Sequence, residues 1–123
     1  MLKVHAKNLG TTAVLCLQGR IVTGETETLR EVVQSVSETS AVVLDLAQVT
    51  TVDAHGLGVM LELREQTLQR GIRFELMNVS NRLSWVLEIT RLDSVFQITS
   101  VAEFFPQVSR DSFARMAALR PCA

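Results

Sequence analysis

A chain of 123 residues is one domain long, enough to bury a core without metal or disulfide staples. Its hydrophobic share of 47% and charged share of 20% exclude a disordered chain, and a net charge of -1 excludes the broad positive field that nucleic acid requires. Cys16 and Cys122 lie near opposite ends and suggest no disulfide framework; with neither a signal-peptide run after Met1 nor any membrane-spanning stretch, a cytoplasmic protein without membrane insertion is expected.

Residues 2–7 and 12–17, separated by Asn8-Leu9-Gly10, read as a β-hairpin whose second strand stops at Gly19. Leu29, Val32, Val33 and Val36 keep the spacing of an amphipathic helix, with caps and acidic residues available over 23–28. Ala41-Val42-Val43-Leu44-Asp45-Leu46 is apolar and β-branched enough for a strand buried on both faces, provided Asp45 lies near its end or finds donors. Asp53-Ala54-His55-Gly56 follows as a loop, and Asp53 is placed to cap a helix over 57–70 that Gly71 closes. A strand over 74–77, a helix capped by Ser80 and running to Thr90, and a short strand over 95–98 come next. A last helix starts at Ser100 and is kinked or interrupted at Pro106. Strands interleaved with helices imply an α/β fold, a mixed and mostly parallel sheet of four to five strands with about four helices packed on it. The domain is expected to occupy 1–105, with 106–123 a helical extension of it.

The stretch from Val42 to Val59 resembles the STAS family: an apolar strand ending Leu44-Asp45-Leu46, the spacer Ala47-Gln48-Val49-Thr50-Thr51, then Val52-Asp53-Ala54-His55-Gly56-Leu57-Gly58-Val59. Similarity continues at Leu17-Gln18-Gly19-Arg20, Leu76-Met77-Asn78-Val79-Ser80 and Leu87-Glu88-Ile89-Thr90-Arg91-Leu92, covering residues 2–103. The resemblance implies a STAS-type fold and an anti-sigma factor antagonist-like module acting by partner switching in bacterial transcriptional regulation. Its partner would be an anti-sigma factor of the GHKL serine-kinase type or a related regulatory protein, with a second copy of the chain as a further candidate. In such a module the hydroxyl after the motif aspartate accepts phosphate, and phosphorylation abolishes binding. Here Ala54 occupies that position and His55 replaces the next hydroxyl residue, so the ordinary switch has no nucleophilic oxygen. Family members also serve as accessory subunits of lipid transporters or stress-sensing complexes, a role that Ala54 suits equally. Arg91 stands where the family often has glycine, and a left-handed non-glycine residue costs about 1 kcal/mol, so that loop is expected to differ in shape.

Each motif residue has a plain alternative. Asp53 serves as a helix cap as readily as a phosphoacceptor guide, and His55 is an exposed histidine, a partner contact, a phosphohistidine or a metal ligand. Metal ligation lacks company, since His5, Cys16 and Cys122 show none of the spacings zinc uses. Gly56-Leu57-Gly58 lacks the third glycine of a dinucleotide turn and more simply permits close backbone approach. No cofactor is indicated. Asp45 with Asp53, or His55 with a serine, has no sequence context for catalysis, so no enzymatic activity is expected. On the second helix the apolar arc through Leu57, Val59, Met60, Leu61, Leu63 and Leu68 spans roughly 200°, where a sheet-packed helix needs about 100° or more. Val59 and Leu63 at its margin are therefore expected to face solvent and to join Asp53, Ala54, His55 and Gly56 in a partner-binding surface, with core packing as the alternative. Trp85 falls off the Leu83–Leu87 line and is a further interface candidate.

Overall fold

Alternating apolar residues before a tight turn and a continuous apolar run, Ala13 to Leu17, after it form the expected hairpin. In the computed structural model, which describes residues 2–99, β1 (Lys3–Leu9) pairs antiparallel with β2 (Thr12–Ile21). β2 does not stop at Gly19. It continues to Ile21 through two register irregularities, because the far half of β3 (Ala41–Val52) is there to accept its hydrogen bonds. The supposed spacer over 47–51 is therefore strand, and β3 extends well past Leu46. Asp45, inside it, satisfies its carboxylate with the Ala47 amide and the Asn78 side-chain amide, both at 3.0 Å.

Helix α1 (Glu27–Ser35) buries Leu29 and Val33. α2 (Ala54–Gln69) begins earlier than expected, so Ala54, His55 and Gly56 form its first turn and not a loop. It ends as predicted: Gly71 adopts φ 75°, and the Gly71 and Ile72 amides return to the carbonyls of Leu68 and Thr67 at 3.0 and 2.9 Å. β4 (Arg73–Met77) follows, then α3 (Asn81–Ile89), capped by the Ser80 hydroxyl, which accepts from the Leu83 amide at 3.1 Å. A 3-10 turn, Leu92–Ser94, leads into β5 (Gln97–Thr99). In the loop after α3, Arg91 adopts a left-handed conformation at φ 61°, ψ 23° without a glycine. Packing of Phe96 against Phe74, with ring centroids 6.3 Å apart, anchors the far side of that loop.

Strand order in the five-stranded sheet is sequence order, and only the β1–β2 pair is antiparallel. Each crossover from β2 to β5 steps one strand in the same direction, so a constant right-handed connection puts every helix on one face. The core agrees: Leu15, Leu17, Leu44 and Leu76 meet Leu29, Val33, Met60, Leu63, Leu83 and Leu87 in one buried cluster. Alternate strand positions contribute Val14, Cys16, Val43 and Met77 to a second, smaller one. Cys16 sits mid-sheet, buried between β1 and β3. Among the described residues there are three α-helices and one 3-10 turn against about four helices expected. The final helix from Ser100 and the 106–123 extension lie outside the described residues.

Candidate functional site

The carboxyl ends of β2 and β3 lie side by side, with Ile21 in register with Val52, and this brings Asp53 against the turn that leaves β2. Asp53 caps α2 as its sequence context predicted: Oδ1 accepts the Gly56 amide at 2.7 Å. Its other oxygen does more. Asp53 Oδ2 accepts the Thr23 amide at 3.0 Å and the Thr23 hydroxyl at 3.1 Å, while the Asp53 amide donates to the Ile21 carbonyl at 3.2 Å. These donors hold the carboxyl below the usual aspartate range, the Thr23 amide first and the Gly56 amide next. Asp53 is thus a clamp joining the β2–α1 turn to the start of α2.

Ala54 and His55 stand exposed on that first turn, beside the clamp. Gly56 is buried against Ile21: a Cβ on it would lie 1.9 Å from the Ile21 carbonyl oxygen, so glycine is required there for close approach. Gly58 has no such contact, since a Cβ on it would meet nothing within 4 Å. Both glycines are helical, which removes the dinucleotide-turn reading.

Val59 and Leu63 do not belong to this surface. They are 3% and 0% exposed, part of the main core, and the expectation that they face solvent is wrong. The apolar arc is wide because α2 packs on two neighbours at once, the sheet below and α1 beside it. Arg30 of α1 pairs with Glu62, and the Gln34 side chain donates to Gln66 at 3.3 Å. What α2 shows to solvent is Ala54, His55, Gly58, Glu62, Glu65, Leu68 and Gln69.

Two features carry weak or no sequence signals. Thr23 is an unremarkable residue in a loop, and only the register of β2 on β3 reveals that it meets Asp53. Trp85 is 60% exposed, as is Ile89 one turn later, so the tryptophan lies outside the core as its helical phase suggested. The groove beside the motif, between Val49, Val52, Leu83 and Val86, measures about 70 Å³, well below the roughly 300 Å³ of a small-molecule site. Among the described residues no cluster of three or more His, Cys, Asp or Glu could hold a metal. Asp45 and Asp53 bind separate donors and do not act as a carboxylate pair.

A family model described as STAS domain matches residues 3–110. Among solved structures, the fold is similar to that of an anti-sigma factor antagonist from Mycobacterium paratuberculosis, at 17% identity, TM-score 0.71 and 95% coverage of both chains. It is also similar to a sulfate transporter family protein from Wolinella succinogenes, at 20% identity and TM-score 0.68 over 92% of this chain and 91% of that one. A third similar structure is the Bacillus cell fate determinant SpoIIAA in its phosphorylated form, at 16% identity and TM-score 0.65 over 85% of this chain and 98% of that one.

Proposed function

The chain belongs to the STAS domain family, and on that premise we propose that it is a protein-binding module of the anti-sigma-factor-antagonist kind. It works without catalysis, by partner switching in bacterial transcriptional regulation, and is not switched by phosphorylation at position 54. The observation that carries this reading is the first turn of α2: Ala54 and His55 are exposed on a helix start fixed by Asp53, and Ala54 offers no nucleophilic oxygen. The partner is an anti-sigma factor of the GHKL kinase type or a related regulatory protein, and it contacts Ala54, His55 and the neighbouring Gly58. A cytoplasmic location goes with this function. Among the described residues no helix is long and apolar enough to cross a membrane.

The similarity to a sulfate transporter family protein favours a second reading, in which the same surface docks permanently as an accessory subunit of a transporter or stress-sensing complex. Partners recovered with the native protein separate the two: a kinase with a sigma factor supports the first, transporter subunits the second.

Titration calorimetry on Ala54→Asp and Ala54→Ser tests the contact surface. A carboxylate at a helix N-terminus is tolerated in the free chain, whereas an unpaired charge desolvated against a partner costs several kcal/mol, a loss of about 100-fold or more in affinity. Ala54→Ser binds nearly as wild type, and thermal melts of both variants stay close to wild type. Equal affinity of Ala54→Asp and wild type would move the interface away from α2.

A further inference from the structure

The strand registers lay out the face of the sheet that looks away from the helices. Cys16 stands between His5 and Asp45, and Asp45 in turn is level with Met77; Val14 stands between Lys7 and Val43, with Glu75 and Gln97 beyond. Residues in register point the same way, so these rows share one face, and Ala41 lies on it two positions before Val43. Among the described residues all three α-helices pack on the other face, where Leu15, Leu44 and Leu76 meet them. The middle of the far face is nevertheless shut off from water: Ala41 and Val43 are 0% exposed, Cys16 1%, Val14 and Met77 5%. Side chains on an uncovered sheet face keep part of their surface in water, so these five lie under a cover that no described element supplies.

The cover is narrow. His5, Lys7 and Leu9 on β1 and Gln97 on β5 belong to the same face and are exposed, so burial is confined to β2, β3 and β4. Three strands about 4.8 Å apart are about 10 Å across, the breadth of a single segment of chain with its side chains. A second copy or another protein docked there would bury about 800 Å² on each side and would take in the flanking strands as well. A segment of the same chain meets the size and the starting point. β5 ends at Thr99, level with Met77 on this face, and residues 100–123 follow it. Even at a rise of about 1.5 Å per residue they reach about 36 Å, roughly twice the length of a typical strand. Their side chains suit an apolar face too: Val101, Phe104, Phe105 and Val108 keep the i, i+3, i+4, i+7 spacing, and Phe113 and Met116 come after them.

We propose that residues 100–123 are the occupant of this face, a built-in cover over Val14, Cys16, Ala41, Val43 and Met77 that closes it to other chains. Docking is thereby left to the helix side of the sheet and to the first turn of α2, whichever partner that turn meets.

The thiol of Cys16 reports on the cover. The reduced full chain is treated with N-ethylmaleimide, and the label on the Cys16 peptide is followed by mapping, beside the same chain in urea and beside Phe104→Asp and Phe113→Ser. The native chain is expected to react at least about 100-fold more slowly than the unfolded one, at a rate unchanged over about a hundredfold dilution. Phe104→Asp should speed labelling about tenfold or more while its thermal melt stays cooperative. Rapid labelling of the native chain would mean a bare face and overturns the proposal. Protection that fades on dilution assigns the cover to a second copy and overturns it equally. Should Phe104→Asp unfold the chain, the milder Phe113→Ser decides, and a wild-type rate in whichever variant folds overturns the choice of occupant.

Discussion

Replacing Gly56 by alanine puts a methyl carbon 1.9 Å from the carbonyl oxygen of Ile21 and 2.8 Å from its carbonyl carbon, where ordinary contact begins near 3.4 Å. The obstacle is backbone, so no side-chain rotation relieves it. Either α2 lifts from the end of β2 or the Ile21 peptide turns away, and both movements strain the 3.2 Å bond from the Asp53 amide to that carbonyl. Overpacking of this kind costs about 1–3 kcal/mol and the lost hydrogen bond about 1 more, while alanine in a helix returns about 0.5–1 kcal/mol. The net expectation is a destabilisation of about 2–3 kcal/mol, a fall in Tm on the order of 10 °C for a domain of this size. Urea and thermal unfolding measure it directly. Gly58→Ala is the internal control: it lies in the same helix with nothing within 4 Å, so it should stabilise by about 0.5–1 kcal/mol. Gly56→Ala melting at or above wild type, or both variants falling equally, would refute the close approach of α2 to β2.

Leu63→Asp should abolish cooperative unfolding or cost at least about 3 kcal/mol, because the side chain it replaces is 0% exposed; a folded variant with weakened partner binding would return Leu63 to the surface. Asp53 has a lowered pKa, through the Thr23 amide first and then the Gly56 amide, so its contribution is present above the unfolded value of about 3.9 and is lost as pH falls through the lower folded value. Urea midpoints between about pH 6 and pH 2 should accordingly fall more steeply for wild type than for Asp53→Asn, and parallel curves would contradict the clamp. Arg91→Gly relieves a left-handed residue at φ 61° and should stabilise by about 0.5 kcal/mol after glycine's extra freedom in the unfolded chain is subtracted. A lower melting temperature for Arg91→Gly would mean that the arginine side chain more than offsets its backbone strain.

Local chemistry accounts for what the amino-acid sequence determined unaided. The β and α elements, their order, the caps at Asp53 and Ser80 and the stop at Gly71 follow from residue spacing and from which side chains can bind a free amide, and both are properties of a few neighbouring residues. The missing hydroxyl at Ala54 is equally a matter of sequence. Tertiary structure decided whatever depends on a neighbour distant along the chain. β3 runs on to Val52 because β2 lies alongside it, and Leu63 is buried because α1 flanks α2 while the sheet supports it. Gly56 and Gly58, two residues apart in one helix, differ only in that Ile21 faces the first. Thr23 joins the site for the same reason. Its partner is thirty positions away, and the hydrogen bond between them exists because two parallel strands end together, a relation of register that no local pattern encodes.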